Sequence, residues 1–570
     1  MRRILTGASV AALAGLIWFS IHLAIIRIYQ VDECTELYNA RMLALGQVAG
    51  NAGFITLFQI ILSCFVHGPA AAGKLYAVAR IVMVTVFWLN IVLMTLGTGE
   101  KLFSRRGLAA LLGAATLAPL WDYGFEIRHD NLLLTGILLM WMLLRVRPPG
   151  LWAYFLLGAV GAALQFMAFK SFVYTIPLAL AGLFFPPPDQ KITRAKSVAA
   201  LVVGALLAFA ILRISLGAAG LWQLYLNGSQ SLSNVSASGY RFSPAIALKR
   251  LLWQTPLLLV FATSGLVALA AGFQKDRRAV LNWNGNFPEA MLFLVALTAL
   301  LINPVPYPYN LLHLVPFAFI FAFRHAMELW QKVRTFPALI PAGVAVVFFT
   351  HLVPYETATS RHVDWRNDRQ NQLIGLAEKL TDASTGGIYD GVALVVSRPM
   401  NSQWFLHSFA FIGSSNPHIY KLLTDKPALV FIPNYRTDWL SATDHIFIRK
   451  RYVPMADDFW VMGHVLPPSG GEFQIYQKGR YRISTLKGSD IEGTYPEGLG
   501  GLINPPENGD IKGTLDGKPL LSQQVELAVG LHRFECSTND QPAVVWLGPQ
   551  LDRIGRIGAG DHHFLFVNWY

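Results

Sequence analysis

Residues 107–145 read GLAALLGAATLAPLWDYGFEIRHDNLLLTGILLMWMLLR. Two apolar runs, 107–122 and 131–145, close on a short segment that holds Asp122, Glu126, Arg128, His129 and Asp130. Each run approaches the length that crosses the hydrocarbon core of a bilayer. Ionisable groups caught between two such runs are costly to desolvate, so they are either paired with one another or used in function. An internal salt bridge from Arg128 to Asp130 or Glu126 is the plain reading. A site at the end of two membrane helices is the sharper one.

Outward from this stretch the apolar pattern repeats. Runs at about 4–26, 76–97, 151–169, 171–186, 197–217, 251–272, 288–302, 310–323 and 336–353 bring the expected spans to eleven. Across the 570 residues 54% are hydrophobic and only 14% charged, with a mean hydropathy of +0.42. An ordinary soluble protein carries roughly 25% charge. That deficit excludes a plain soluble enzyme and any disordered or fibrous class. The start Met1-Arg2-Arg3 resembles a signal peptide, but the run behind it is too long and no small-residue cleavage site follows. It reads as a first span with a cytoplasmic N-terminus.

The net charge is +12. A nucleic-acid partner is not the expectation, because loops on the inner side of a membrane collect Lys and Arg. The run Phe54–Val66 has 13 residues, short for a span. If it lies along the outer interface, Lys101, Arg105 and Arg106 share the inner side with Arg145, Arg194, Lys196, Lys275, Arg277 and Arg278. The outer segments are then basic-poor, as the positive-inside rule prefers. Eleven spans put residues 355–570 outside the cytoplasm, and a bacterial chain would sit in the inner membrane.

The expected fold is a polytopic α-helical membrane domain over 1–354, with a first outer loop at 28–75 and a second at 123–130. An extracytoplasmic α/β subdomain over 355–470 and a β-sandwich-like subdomain over 471–570 follow. Arg366–Leu380 has the pattern of an amphipathic helix, and Val392–Val396 and Ala428–Ile432 that of buried strands. Short alternating runs at Phe473–Tyr476, Tyr481–Ser484, Val525–Ala528, Arg533–Cys536 and Val544–Leu547 are separated by Gly and Pro turns, as in a sandwich. Three cysteines, Cys34, Cys64 and Cys536, make no disulfide framework.

The first outer loop opens Val31-Asp32-Glu33-Cys34-Thr35-Glu36 directly after a span, with Asp32 and Glu36 spaced to share a helix face. Lys170 stands alone between two apolar segments, fit either to snorkel to the interface or to hold a phosphate. Tyr307 and Tyr309 lie in a proline-rich loop, where they read as interface anchors or site walls. Walker A, GxGxxG at a strand–helix junction, HExxH and GxSxG are all missing from the sequence. No nucleotide cofactor is expected. Chemistry outside the cytoplasm needs a donor activated within the membrane, and a polyprenyl-phosphate sugar is one.

The segments "LYNARMLALG", "YGFEIRHDNLL" and "ALQFMAFKSFVYTIPLAL" resemble the polyprenyl-phosphate-dependent glycosyltransferases of the GT-C type. The nearest group contains the lipid A aminoarabinose transferases and protein O-mannosyltransferases, glycosyltransferase family 39-like. The resemblance covers residues 1–190, and 197–353 by layout. It implies a membrane glycosyltransferase in which Asp32 and Glu33 are the first-loop catalytic acids and Asp130 the second-loop acid. Arg128 and Lys170 would bind the donor phosphate, and a divalent metal on Asp32 and Asp130 is an open possibility. Glu126, His129, Tyr307 and Tyr309 are further candidates. A Lys-Pro-Pro segment frequent in such proteins is replaced here by Gly50-Asn51-Ala52-Gly53-Phe54. The implied partners are the lipid-linked donor, a lipid, glycan or protein acceptor, and membrane lipids, with no nucleic acid.

On this reading Asp32 acts as general base and the sugar transfers with inversion. The alternative is a transporter or flippase for a lipid-linked or polar solute, which would place ionisable groups at mid-span and show pseudo-symmetric halves. The discriminating geometry is whether Asp32 and Asp130 meet within reach of Arg128 or Lys170.

Overall fold

The computed structural model describes residues 2–48, 52, 54–145, 150–184, 192–228, 243–275, 287–303, 306–333, 335–336, 339–381, 387–400, 406, 419–425, 427–486, 511–538, 541–548, 551, 557 and 561–566. Most of the segment 50–54 lies outside them. The N-terminal part is helical: α1 (Arg2–Ile26), α2 (Val31–Ala44), α3 (Leu57–Ser63), α4 (Ala72–Gly97), α5 (Arg105–Ala115), α6 (Ala118–Tyr123), α7 (His129–Arg145), α8 (Leu151–Met167), α9 (Phe172–Phe184) and α10 (Arg194–Ala218). Further helices run over Ala245–Gln254, Pro256–Lys275, Phe287–Ile302 and Leu311–Val333.

Among the described residues five helices are long and apolar enough to cross a membrane: Gly7–Ile26, Ala72–Gly97, Arg194–Ala218, Pro256–Lys275 and Pro308–Lys332. Leu151–Met167, Phe169–Phe184 and Phe287–Ile302 are shorter apolar helices. The other three expected spans are short or broken. The run 107–122 splits between α5 and α6, where Pro119 sits in the first turn of a new helix. The run 131–145 falls within the 17 residues of α7. The run 336–353 is a helix Ile340–Val347, a π-turn Phe348–Leu352 and a helix Val353–Asp364. That last helix carries the chain past residue 354, so the membrane part and the tail join within a helix. The run 251–272 also breaks, because Thr255 precedes Pro256 and leaves the helical region. Phe54–Val66 holds only the seven-residue α3, too short to span.

α10 is apolar on nearly every side, yet only Ser197, Gly204 and Leu216 are buried in the protein. Val203, Leu206, Ile211 and Ile214 are each more than half exposed. Such a surface is solvated by lipid tails rather than by water. α10 meets α8 through two glycines. A Cβ on Gly158 would lie 2.0 Å from the Leu201 carbonyl oxygen, and one on Gly204 2.0 Å from that of Phe155. The two backbones touch because neither residue has a side chain.

The tail builds two sheets. The larger has seven strands: β1 (Gly387–Tyr389), β2 (Ala428–Phe431), β4 (Phe459–Val465), β11 (Gln541–Trp546), β6 (Gly479–Leu486) and β9 (Gln524–Leu527) in that order, with β3 (Tyr452–Ala456) also on β4. The smaller runs β5 (Gly470–Ile475), β10 (Gly530–Cys536), β7 (Gly513–Leu515), β8 (Lys518–Pro519). The expected boundary at residue 470 does not divide the larger sheet. The antiparallel pairs Val465 with Ala543 and Gly463 with Val545 stitch β4 to β11 across it.

The expected helix forms over Asp368–Leu380, and the expected strand at 428 forms as β2. Val392–Val396 is buried but is not a strand. The Asp390 carboxylate accepts hydrogen bonds from the amides of Val392, Ala393 and Leu394 at 2.8, 2.6 and 2.7 Å, and Ala393 sits at φ +60°. Those amides wrap one side chain instead of joining a ladder.

The tail is moored on the chain that leaves α1. The Asn367 amide donates to the Ile26 carbonyl at 2.8 Å, and its side chain to that of Ile25 at 2.7 Å. Gln370 accepts from the Tyr29 amide at 2.6 Å and donates to the Tyr29 carbonyl at 3.0 Å. Carbonyls that a helix end leaves unpaired are thus satisfied by the C-terminal part. The Tyr38 hydroxyl donates to the Met400 carbonyl at 2.8 Å, and that of Tyr76 to Leu394 at 3.1 Å. The three cysteines are free thiols.

Candidate active site

α2 begins at Val31, so Asp32 and Glu33 fall in its first turn, where the helix N-terminus favours negative charge. Successive residues on a helix point roughly 100° apart. The two carboxylates therefore meet different surroundings.

Glu33 turns inward and is fully buried. Arg80 grips it with Nε at 2.9 Å and Nη2 at 2.6 Å, while the amides of Gln30 and Ile127 donate at 2.9 and 3.0 Å. Arg80 also donates to the carbonyls of Ala24, Arg27 and Ile28. This network leaves Glu33 no edge for a substrate, so the structure puts an expected catalytic acid in the core. Glu126 is likewise buried, on Arg27 at 2.5 Å. Two arginines inside or beside apolar runs need carboxylate partners. Arg27 and Arg80 were the sequence signal that Glu126 and Glu33 are those partners.

Asp32 turns outward, with 42% of its side chain exposed. Arg128 Nη1 donates to Asp32 Oδ2, and Arg128 Nε to Asp130 Oδ2 at 3.2 Å. One guanidinium thus bridges the two loops. Asp130 is fully buried and takes a hydrogen bond from Lys170 Nζ on its other oxygen. Lys170 also reaches Asn310 Oδ1 at 3.4 Å. Tyr309 forms the floor, its ring centroid 3.9 Å from Arg128 Cζ and 5.0 Å from Lys170 Nζ. Tyr307 stands beside it, ring centroids 5.8 Å apart. His129 turns away to Glu36, Nδ1 to Oε1 2.9 Å, and Gln59 from α3 holds the other Glu36 oxygen. His129 and His313 each keep Nε2 3.9 Å from Asp130 Oδ1. The internal Arg128–Asp130 bridge and the meeting of the loops are both present.

Arg436, from the loop after β2, was not foreseen. Its Nη2 lies 3.8 Å from Asp32 Oδ1, and its Nη1 donates to the Leu406 carbonyl at 2.7 Å. No local pattern marks it, because it reaches Asp32 only through the docking of the tail. Partial desolvation by the surrounding protein pushes the Asp32 carboxyl up, but the Arg128 and Arg436 guanidiniums outweigh it and hold the group below the ordinary carboxylate range.

A divalent metal shared by Asp32 and Asp130 would have to displace the Arg128 guanidinium. The Arg128 guanidinium sits on both carboxylates and Lys170 on the second Asp130 oxygen, while Arg436 lies 3.8 Å from Asp32 Oδ1 without a hydrogen bond to it. Among the described residues no three His, Cys, Asp or Glu side chains converge as a metal site requires.

No family model matches the chain, and no curated protein matches it. Solved structures do. One is the archaeal oligosaccharyltransferase AglB from Archaeoglobus fulgidus in complex with an inhibitory peptide and a dolichol-phosphate. It is 9% identical, with 97% of this chain and 99% of that chain covered and a TM-score of 0.47. Another is the Archaeoglobus fulgidus oligosaccharyltransferase in complex with Zn and sulfate, 11% identical over 80% of this chain and 72% of that chain, at a TM-score of 0.43. At such identities and scores the likeness is one of overall layout and assigns no role to any residue. In layout, the chain is similar to oligosaccharyltransferases.

Proposed function

We propose that the chain is a membrane glycosyltransferase that moves a sugar from a polyprenyl-phosphate donor to an acceptor on the extracytoplasmic face, with inversion. The observation that carries this reading is the division of labour at the Arg128 bridge. Asp32 is open to solvent with two cations behind it, whereas Asp130 is buried and serves to hold Arg128 and Lys170. An open carboxylate beside a pair of cations is what an in-line displacement at a sugar phosphate needs.

Asp32 accepts the proton of the acceptor hydroxyl or amine as that atom bonds to the anomeric carbon. The bond from the anomeric carbon to the phosphate oxygen breaks. Its electrons stay on the lipid phosphate, where Lys170 and Arg128 meet the developing charge. Asp130 fixes both cations, so little reorganisation accompanies the transition state. The Tyr309 ring keeps them in place from below. The apolar helices beside the site suit a prenyl chain, which would orient the phosphate. Arg436 ties this chemistry to the tail.

The test is transfer from a panel of polyprenyl-phosphate sugars in purified membranes. Label moving to an acceptor from at least one donor supports the reading. Uptake or translocation of the same compounds with no transfer favours the transporter instead.

A further inference from the structure

One cation of the helical part lies outside the Asp32–Asp130 site and faces no anion of the protein. It is Arg213, near the C-terminal end of α10. At roughly 1.5 Å per residue it stands about 28 Å along the helix axis from Arg194, close to the ~30 Å hydrocarbon thickness of a bilayer. Between Lys196 and Arg213 the helix holds no charged residue. Arg194 and Lys196 therefore mark one headgroup level, and Arg213 falls at the other. Among the described residues Arg213 has no ion pair and no hydrogen bond from its side chain. From Lys191 to Lys275 the sequence contains no Asp and no Glu.

An arginine that merely snorkels swings freely into the interface. Arg213 is instead held in place. Its Cζ lies 3.9 Å from the Trp222 ring centroid, and Trp222 packs in turn on Tyr225 and Phe166, with ring centroids 5.3 and 6.5 Å away. Long helical side chains lean toward the N-terminus of their helix. This one runs the other way, into room left by Gly217, where a Cβ would lie 2.9 Å from Arg213 Nη1. The indole covers the face of the guanidinium, whereas its N–H donors point outward in the plane. A fixed fork of donors at headgroup depth matches phosphate oxygens. Toward the bilayer centre, Phe209, Leu206 and Val202 follow at helical spacing on the same face and are 50, 63 and 44% exposed. Phe166 backs Phe209 with ring centroids 5.4 Å apart. This is an apolar track directly below a phosphate-binding group. A choline or ethanolamine headgroup would bring a second cation, and residues 191–275 offer it no carboxylate. A headgroup with net negative charge meets Arg213 without that cost.

We propose that Arg213 and Trp222 form a binding site for an anionic phospholipid, with the phosphate on the guanidinium and an acyl chain along Phe209, Leu206 and Val202. The site shares no residue with the transfer chemistry, so its test reads binding alone. The full-length protein, delipidated in detergent, is titrated with phosphatidylglycerol, phosphatidylcholine of the same acyl chains, a polyprenyl phosphate and glycerol phosphate. Bound molecules are counted by native mass spectrometry. The parent should hold one phosphatidylglycerol about tenfold more tightly than Arg213→Gln does, as the loss of charge-assisted hydrogen bonds predicts. Arg213→Gln should then hold the two phospholipids alike. Arg213→Lys keeps the charge and loses the planar fork, so it should fall between the two. That variant carries the test if Arg213→Gln fails to fold. Equal retention of the two phospholipids by the parent, or unchanged retention in the folded variants, would overturn the proposal. So would glycerol phosphate binding as tightly as phosphatidylglycerol, or the polyprenyl phosphate binding more tightly than it.

Discussion

Asp32 and Glu33 are neighbours in sequence with opposite surroundings, one half-exposed and one buried, and one helical step of rotation separates them. Glu33→Gln leaves the Arg80 guanidinium buried against a neutral partner. Removing one side of a buried pair costs about 3–5 kcal/mol, so this variant should melt well below the parent while each folded molecule keeps its transfer rate. Thermal unfolding of the solubilised protein checks it. Arg436→Gln removes one of the cations that lower the Asp32 carboxyl. A lowered carboxyl stays ionised, and competent as a base, to lower pH. Without Arg436 it protonates at higher pH, so the acid limb of the pH–rate profile should move up, measured as kcat/KM against pH. An unmoved limb would separate Arg436 from the base. At this scale the charged residues of the two loops were legible, because any charge in so apolar a chain stands out. Which of them face the site was not, since sequence gives their density but not their rotation. Arg436 was hidden because a contact made by docking two distant segments leaves no local trace.

Elements were legible where periodicity was strong and opaque where a single side chain redirected the backbone. The strands at 473, 481, 525, 533 and 544 follow from alternation between turns, and the one at 428 from a continuous apolar run. Val392–Val396 carries the same apolar signal, but Asp390 withdraws three of its amides from any ladder. The span at 251–272 was misplaced for a related reason, with Pro256 starting a helix rather than lying inside one. The close crossing of α8 and α10 gives a test of packing. Gly204→Leu would drive a side chain into the Phe155 backbone, and overpacking of this kind costs typically about 1–3 kcal/mol. A lower melting temperature, with Gly15→Leu in open space inside α1 as the comparison that does not destabilise, is the expected result.

For the whole molecule, the composition settled that lipid rather than water is the main solvent of the helical part, and the fully apolar surface of α10 agrees. The mooring of Asn367 and Gln370 on the end of α1, and of Met400 on Tyr38, fixes the tail against α1 and α2. Its side of the membrane is open to direct test. In intact cells carrying Cys64→Ser, a membrane-impermeant maleimide should label Cys536, which is partly exposed, whereas Cys34 is buried. Labelling of Cys536 only after permeabilisation would place the tail inside and reverse the topology. The proposed transfer chemistry rests on Asp32, rather than Glu33, as the base. The most direct measurement compares the transfer rate of Asp32→Asn and Glu33→Gln per folded molecule, from the same lipid-phosphate donor. Loss of a positioned general base costs about 10²–10⁴ in rate. That loss is expected for Asp32→Asn at an unchanged melting temperature, with near-parental turnover for folded Glu33→Gln. Full turnover by folded Asp32→Asn would contradict it.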